Sequence, residues 1–136
     1  MRIVVAPPPN MRAIEKAFGP IPKSVIFAFG DVIYNPGNCK IQPAIIAHEQ
    51  KHGSRQGPSD YDVLAWWDRY IADPAFRLEE EVPAHQAEYK AFCKRHGGAA
   101  RTNYLNLCAQ KLASPLYGNL VTVAEARHMI LTGGRT

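Results

Sequence analysis

The chain has 136 residues, 46% hydrophobic and 21% charged, with a net charge of +4. That balance argues against a disordered or collagen-like chain. No apolar run approaches the roughly 20 residues of a membrane helix, and the basic residues are scattered rather than striped with aromatics, so neither a membrane nor nucleic acid is an expected partner.

The length fits one domain over residues 1–136, expected to be monomeric. Met1–Ala6 is cut short by Pro7, Pro8 and Pro9, too brief for a signal-peptide core, which makes the cytoplasm the expected location. Cys39, Cys93 and Cys108 are an odd, widely spaced set and read as buried free thiols of a reducing compartment.

In chain order, Arg2–Ala6 reads as a short strand. Asn10 can cap a helix over Met11–Phe18, ended by Gly19, Pro20 and Pro22. Val25–Phe29 and Val32–Tyr34 read as strands, with Gly30-Asp31 between them as a tight hairpin or a bulge. Pro43 opens a helix through His52, with Gly53 as a possible stop, and Ile41, Ile45 and Ile46 make it substantially apolar. Ser59 caps a helix to about Ala72, with a stripe of Leu64, Trp67 and Ile71 and with Trp66 and Tyr70 beside it.

A further helix starts at Asp73-Pro74, is interrupted or kinked at Pro83, and resumes to about Arg95. Thr102 or Asn103 caps a helix to about Ala113, Pro115–Asn119 is a loop, and Thr122 caps a last helix to Leu131. The expected class is α+β: mainly helical, with a small N-terminal sheet.

One pentapeptide carries chemistry. His48-Glu49-Gln50-Lys51-His52 reads H-E-x-x-H. Residues four apart on a helix lie ~40° apart in azimuth and ~6 Å along the axis, so both imidazoles can reach one ion, and zinc suits imidazole nitrogen. Glu49, one step round, is better placed to take a proton from a zinc-bound water than to ligate.

A third ligand must come from elsewhere. The metzincin continuation is absent, because Arg55 and Pro58 stand where its glycine and histidine would be. Asp60 and Asp62 lack a flanking motif. The stretch Leu78–Tyr89 offers Glu79, Glu80, Glu81 and Glu88 beside the small residues Ala84 and Ala87, and a small-residue face allows the close helix approach that a shared metal requires.

H-E-x-x-H followed by Glu-x-x-Ala on a second helix resembles the gluzincin branch of the zincin metallopeptidases, in particular the minimal forms of bacterial and phage genomes. The resemblance covers roughly residues 25–130, within which Leu112–Asn119 matches more loosely. It implies a zincin-like core, a zinc cofactor (Zn2+), a peptide or protein substrate, His48 and His52 as ligands, and Glu49 as general base. It implies Glu81 as third ligand, since Ala84 stands three residues on, with Glu80 as runner-up if the helix runs straight through Pro83. Tyr117 or His128 would donate to the oxyanion, as a Tyr or His does in larger gluzincins.

Many gluzincins place a carboxylate or amide four residues after the third ligand, to orient a zinc-bound histidine. Here that position is His85, which with Val82, Tyr89, Phe92 and His96 also reads as an ordinary packing stripe. Two other functions stay open: a non-catalytic protein retaining the fold and metal, and a zinc hydrolase acting on cell-wall peptide bonds.

Overall fold

The computed structural model describes residues 1–132. It is a mainly helical α+β fold: β1 (Arg2–Val4), α1 (Met11–Phe18), β2 (Phe27–Phe29), β3 (Val32–Tyr34), α2 (Pro43–Gln56), α3 (Asp60–Ala72), α4 (Pro74–Cys93), α5 (Ala99–Leu112), a 3-10 turn (Pro115–Tyr117) and α6 (Val123–Thr132). Among the described residues no helix is long and apolar enough to cross a membrane.

The sheet has the order β1-β3-β2, with β1 parallel and β2 antiparallel to β3. β1 is shorter than expected, because the Ala6 N–H turns back to the Val4 carbonyl at 3.1 Å and takes the chain out of the ladder at Val5. Gly30-Asp31 is a two-residue hairpin between the paired Phe29 and Val32. Gly30 has φ +64°, the left-handed first position that a type II′ turn requires.

α2 runs past Gly53 to Gln56. Gly53 is an approach point rather than a stop: a Cβ there would lie 2.2 Å from the Gly30 carbonyl oxygen. Gln56 then bolts the helix to the hairpin, accepting from the Gly30 N–H at 2.7 Å and donating to the Ala28 carbonyl at 3.0 Å. These contacts hold β2, an edge strand, beside α2.

α4 continues through Pro83 as one helix, although that ring lacks the N–H to bond the preceding turn. It packs most extensively against α2, and Ala84 at the contact is fully buried. One apolar cluster, with Leu78, Val82, Leu105, Leu112 and Ile130, joins α4 to α5 and α6. Another, with Ile14, Phe27, Val63, Trp66, Trp67 and Phe76, joins α1, β2 and α3 to the start of α4.

Several local expectations are corrected. Val63, not Leu64, is the buried apolar partner of Trp66 and Trp67 on α3; Leu64 is exposed. α5 starts at Ala99, directly after Gly98 turns the chain at φ +56°, so Thr102 and Asn103 lie inside the helix instead of capping it. Asn10 occupies the N-cap of α1 but makes no capping hydrogen bond. Thr122 does cap α6, accepting from the Glu125 N–H at 3.1 Å while Glu125 accepts from the Thr122 N–H at 3.0 Å, a reciprocal capping box. Only Cys108 of the cysteines is buried; Cys93 is partly buried and Cys39 exposed.

Candidate metal centre

The buried face of α2 is polar. Ala44, His48, Glu49, His52 and Gln56 are buried, while Ile41, Ile45 and Ile46 are only half-buried. The spacing 44, 48, 52, 56 is one ladder of four-residue steps, so the helix turns its histidines, not its isoleucines, toward α4. Buried titratable groups oppose folding unless something compensates them.

α4 answers with Glu80, Glu81, His85 and Glu88, all buried. The nearest oxygens of Glu81 stand 3.1 Å from His48 Nε2 and 2.7 Å from His52 Nε2, and the two Nε2 atoms are 3.1 Å apart. The ligand atoms of His48, His52 and Glu81 all lie within 4.8 Å of one another.

This arrangement fits a metal better than a hydrogen-bond network. Two donors bound at ~2.0–2.1 Å to a tetrahedral ion lie roughly 3.3 Å apart, close to the observed separation of the imidazole nitrogens. Glu81 Oε2 makes no hydrogen bond although it is buried and faces His52 Nε2. Among the described residues, no Lys or Arg ion-pairs with Glu81 or Glu88; their partners are histidines. The cluster of carboxylates thus lacks a permanent cation, which a divalent ion would supply.

Glu80 faces elsewhere. It accepts from Arg55 Nη2 at 2.7 Å, from Arg55 Nε at 3.1 Å and from Trp66 Nε1 at 2.8 Å. Although α4 runs on through Pro83 as one helix, the condition under which Glu80 was expected, it is Glu81 that faces the histidines, and Glu80 pairs with Arg55.

The carboxylate that meets the far side of the His48 ring is Glu88, seven residues after Glu81. Its Oε1 lies 2.8 Å from His48 Nδ1. A proton held there on Nδ1 leaves the Nε2 lone pair free for an ion. Tyr104 donates to the other Glu88 oxygen, and the Cys108 thiol lies 3.7 Å from it. Burial, with the Glu88 charge, pushes that thiol up to about 12, so it stays a donor.

His85 Nδ1 lies 3.1 Å from Glu88 Oε1 but outside hydrogen-bond geometry. Its ring packs edge-on to His48 with centroids 4.7 Å apart, so it buttresses the ligand ring and does not replace the missing carboxylate. Seven residues are two helical turns, so Glu88 shares the Glu81 face, a spacing the sequence already contained.

The electrostatics follow from burial and mutual charge. Burial alone would lower His48, but Glu81 and the hydrogen bonds to Glu81 and Glu88 outweigh it and hold the imidazole well above its usual value. Burial would raise Glu81, but His52 and His48 hold it well below the carboxylate range. Glu49 is different: burial dominates over the two histidines and pushes its carboxyl up, toward the range of a general base.

The three ligand candidates and Glu49 line a cleft of about 410 Å³. Its other walls are apolar, including Phe18 from α1, Val25 and Phe27 along β2 and its approach, and Leu116 from the 3-10 turn. Tyr70 and Tyr117 also line it. Burial and the Glu81 charge hold both hydroxyls above their usual value.

Tyr117, expected at the oxyanion, is therefore in the site. His128 is exposed on α6 and is not among the described residues lining the cleft, because α6 packs on α5 and on α4. Tyr70, read from sequence as a neighbour of an apolar stripe, is the cleft residue that reading missed.

Glu88→Gln should weaken zinc binding about 10–100-fold, the usual effect of losing an outer-shell partner. Competition with a chromophoric chelator measures it, and an unchanged affinity would remove Glu88 from the site. Compared with known proteins, the chain matches no family model, no curated protein and no solved structure.

Proposed function

We propose that the protein is a zinc-dependent peptidase of the gluzincin type. The observation that carries this reading is the convergence of His48, His52 and Glu81 on one point, beside a buried Glu49, at the floor of an apolar cleft. Bound there, zinc would act as a Lewis acid and lower the pKa of water towards ~7.

The chain's own residues do the rest. Glu49 takes the proton from the attacking water and returns it to the leaving amine, a task its raised pKa suits. Tyr117 donates to the oxygen of the scissile carbonyl as charge builds on it. Glu88 keeps the His48 ring in place. The apolar walls exclude water and favour a peptide with a bulky apolar side chain next to the scissile bond. Three free cysteines support a reducing compartment as its location.

The test is metal analysis of protein purified without a His tag, then digestion of an unbiased peptide library. One zinc per chain and chelator-sensitive cleavage, biased to large apolar residues, are expected. Absence of zinc would sink the metal centre. Stoichiometric zinc without cleavage would turn the assignment to a non-catalytic, partner-binding protein.

A further inference from the structure

Arg77 on α4 is 7% exposed, yet among the described residues it is in no ion pair. A buried guanidinium ordinarily meets a carboxylate. This one donates only to main-chain carbonyls: Nη1 to Tyr70 at 2.8 Å and to Ile71 at 2.9 Å, and Nε to Leu116 at 2.9 Å. Tyr70 and Ile71 belong to the last turn of α3, and Leu116 immediately precedes Tyr117. The guanidinium carbon also sits 5.2 Å from the Phe18 ring centroid and 6.0 Å from that of Tyr70. One side chain thus joins three separate stretches of the cleft wall.

We propose that Arg77 is a positioning residue, which sets the Tyr117 hydroxyl against Tyr70 and toward the face formed by His48 and Glu81. The proposal rests on the peptidase reading. Tyr70 is itself immobilised, stacked on Trp66 at 5.0 Å and packed against Trp67 at 5.3 Å. Tyr70 and Tyr117 line the cleft with His48 and Glu81, so a bond given by Tyr70 to the Tyr117 oxygen would leave the Tyr117 hydrogen free to face a substrate oxygen. Lysine cannot take this part, because one ammonium cannot reproduce the planar fork that spans the carbonyls.

The test is a double-mutant cycle on zinc-loaded protein, read by calorimetric binding of 3-phenylpropionyl hydroxamate, whose carbonyl oxygen mimics the substrate acceptor. Arg77→Lys, Tyr70→Phe and Tyr117→Phe should each weaken binding by up to roughly ten-fold, the scale of one hydrogen bond. Adding Arg77→Lys or Tyr70→Phe to Tyr117→Phe should cause no further loss, because their effects pass through the same hydroxyl. In cleavage assays the single changes should lower kcat and leave KM unchanged, with zinc content intact.

Additive losses in both double mutants, or full affinity in Tyr117→Phe, would overturn the proposal. If Arg77→Lys does not fold, Arg77→Gln, which keeps an amide donor toward the carbonyls, takes its place in the cycle. A wild type that loads zinc but neither binds the hydroxamate nor cleaves peptides fails the peptidase reading itself. Tight wild-type binding with additive losses fails only the role of Arg77.

Discussion

Glu49→Gln should lower peptide cleavage about 10²–10⁴-fold, the contribution typical of a positioned general base, while zinc content and thermal stability persist. Glu49 is buried on α2 beside His48 and His52, but it is not one of the three groups whose ligand atoms converge. Burial is the dominant influence on its carboxyl and pushes it up, so folding already works against the charged form. Glutamine keeps the size and hydrogen-bonding capacity and removes only the basicity. The chelator-inhibited fraction of the library digest is the quantity to measure. Equal cleavage by variant and wild type would assign the activity to another base or to a contaminant.

His48→Ala and His52→Ala should each abolish tight zinc binding, a larger loss than the ~10–100-fold of an outer-shell change. Each removes one of the three groups whose ligand atoms converge within 4.8 Å. Among Glu79, Glu80 and Glu81 changed singly to Gln, the greatest loss of zinc affinity should be at Glu81. Glu80→Gln should instead loosen the pairing with Arg55 and Trp66 and leave the metal in place. Wild-type affinity surviving in both histidine variants would refute the centre.

The pH dependence has a definite sign. Ligating imidazoles must be neutral, so zinc affinity falls as pH falls. In the metal-free protein, the raised His48 gives stability that is full below the ordinary histidine value of 6.5 and is lost as pH climbs through the higher folded value. The depressed Glu81 and Glu88 give stability that is full above the ordinary carboxylate value of 4.5 and is lost as pH drops through their folded values. Glu49, raised by burial, adds a cost as pH climbs past that same 4.5. These groups favour the metal-free fold most between those two ordinary values, whereas the zinc-loaded protein gains toward neutral pH. Thermal midpoints with and without zinc should therefore diverge steadily from roughly pH 5 to pH 8. A zinc increment independent of pH would mean that the ion binds elsewhere.

What is local was legible in the residues alone. H-E-x-x-H on a helix opened by Pro43 needs only the helical repeat to put two imidazoles on one side. Ser59 and Thr122 mark helix starts by cap chemistry, and Gly30-Asp31 marks a break between two strands, which the pairing of Phe29 with Val32 then shows to be a hairpin. The tertiary structure decided what depends on contacts between elements.

Whether Glu80 or Glu81 faces the histidines depends on how α4 rolls against α2 and on its continuity through Pro83, and Arg55 and Trp66 take Glu80 away. Gly53 reads as a helix stop in sequence. Only the approach of the Gly30 carbonyl explains why glycine stands inside α2. His85 occupies the expected offset for an orienting partner, yet Glu88 lies closer to the His48 Nδ1, because two full turns keep it on the α2-facing side of α4. Tyr70, Tyr117 and Arg77 lie on three different elements. Their spacing in the chain says nothing of the cleft they share, because closure of α3, α4 and the 3-10 turn on one another is a packing event that no short-range pattern encodes.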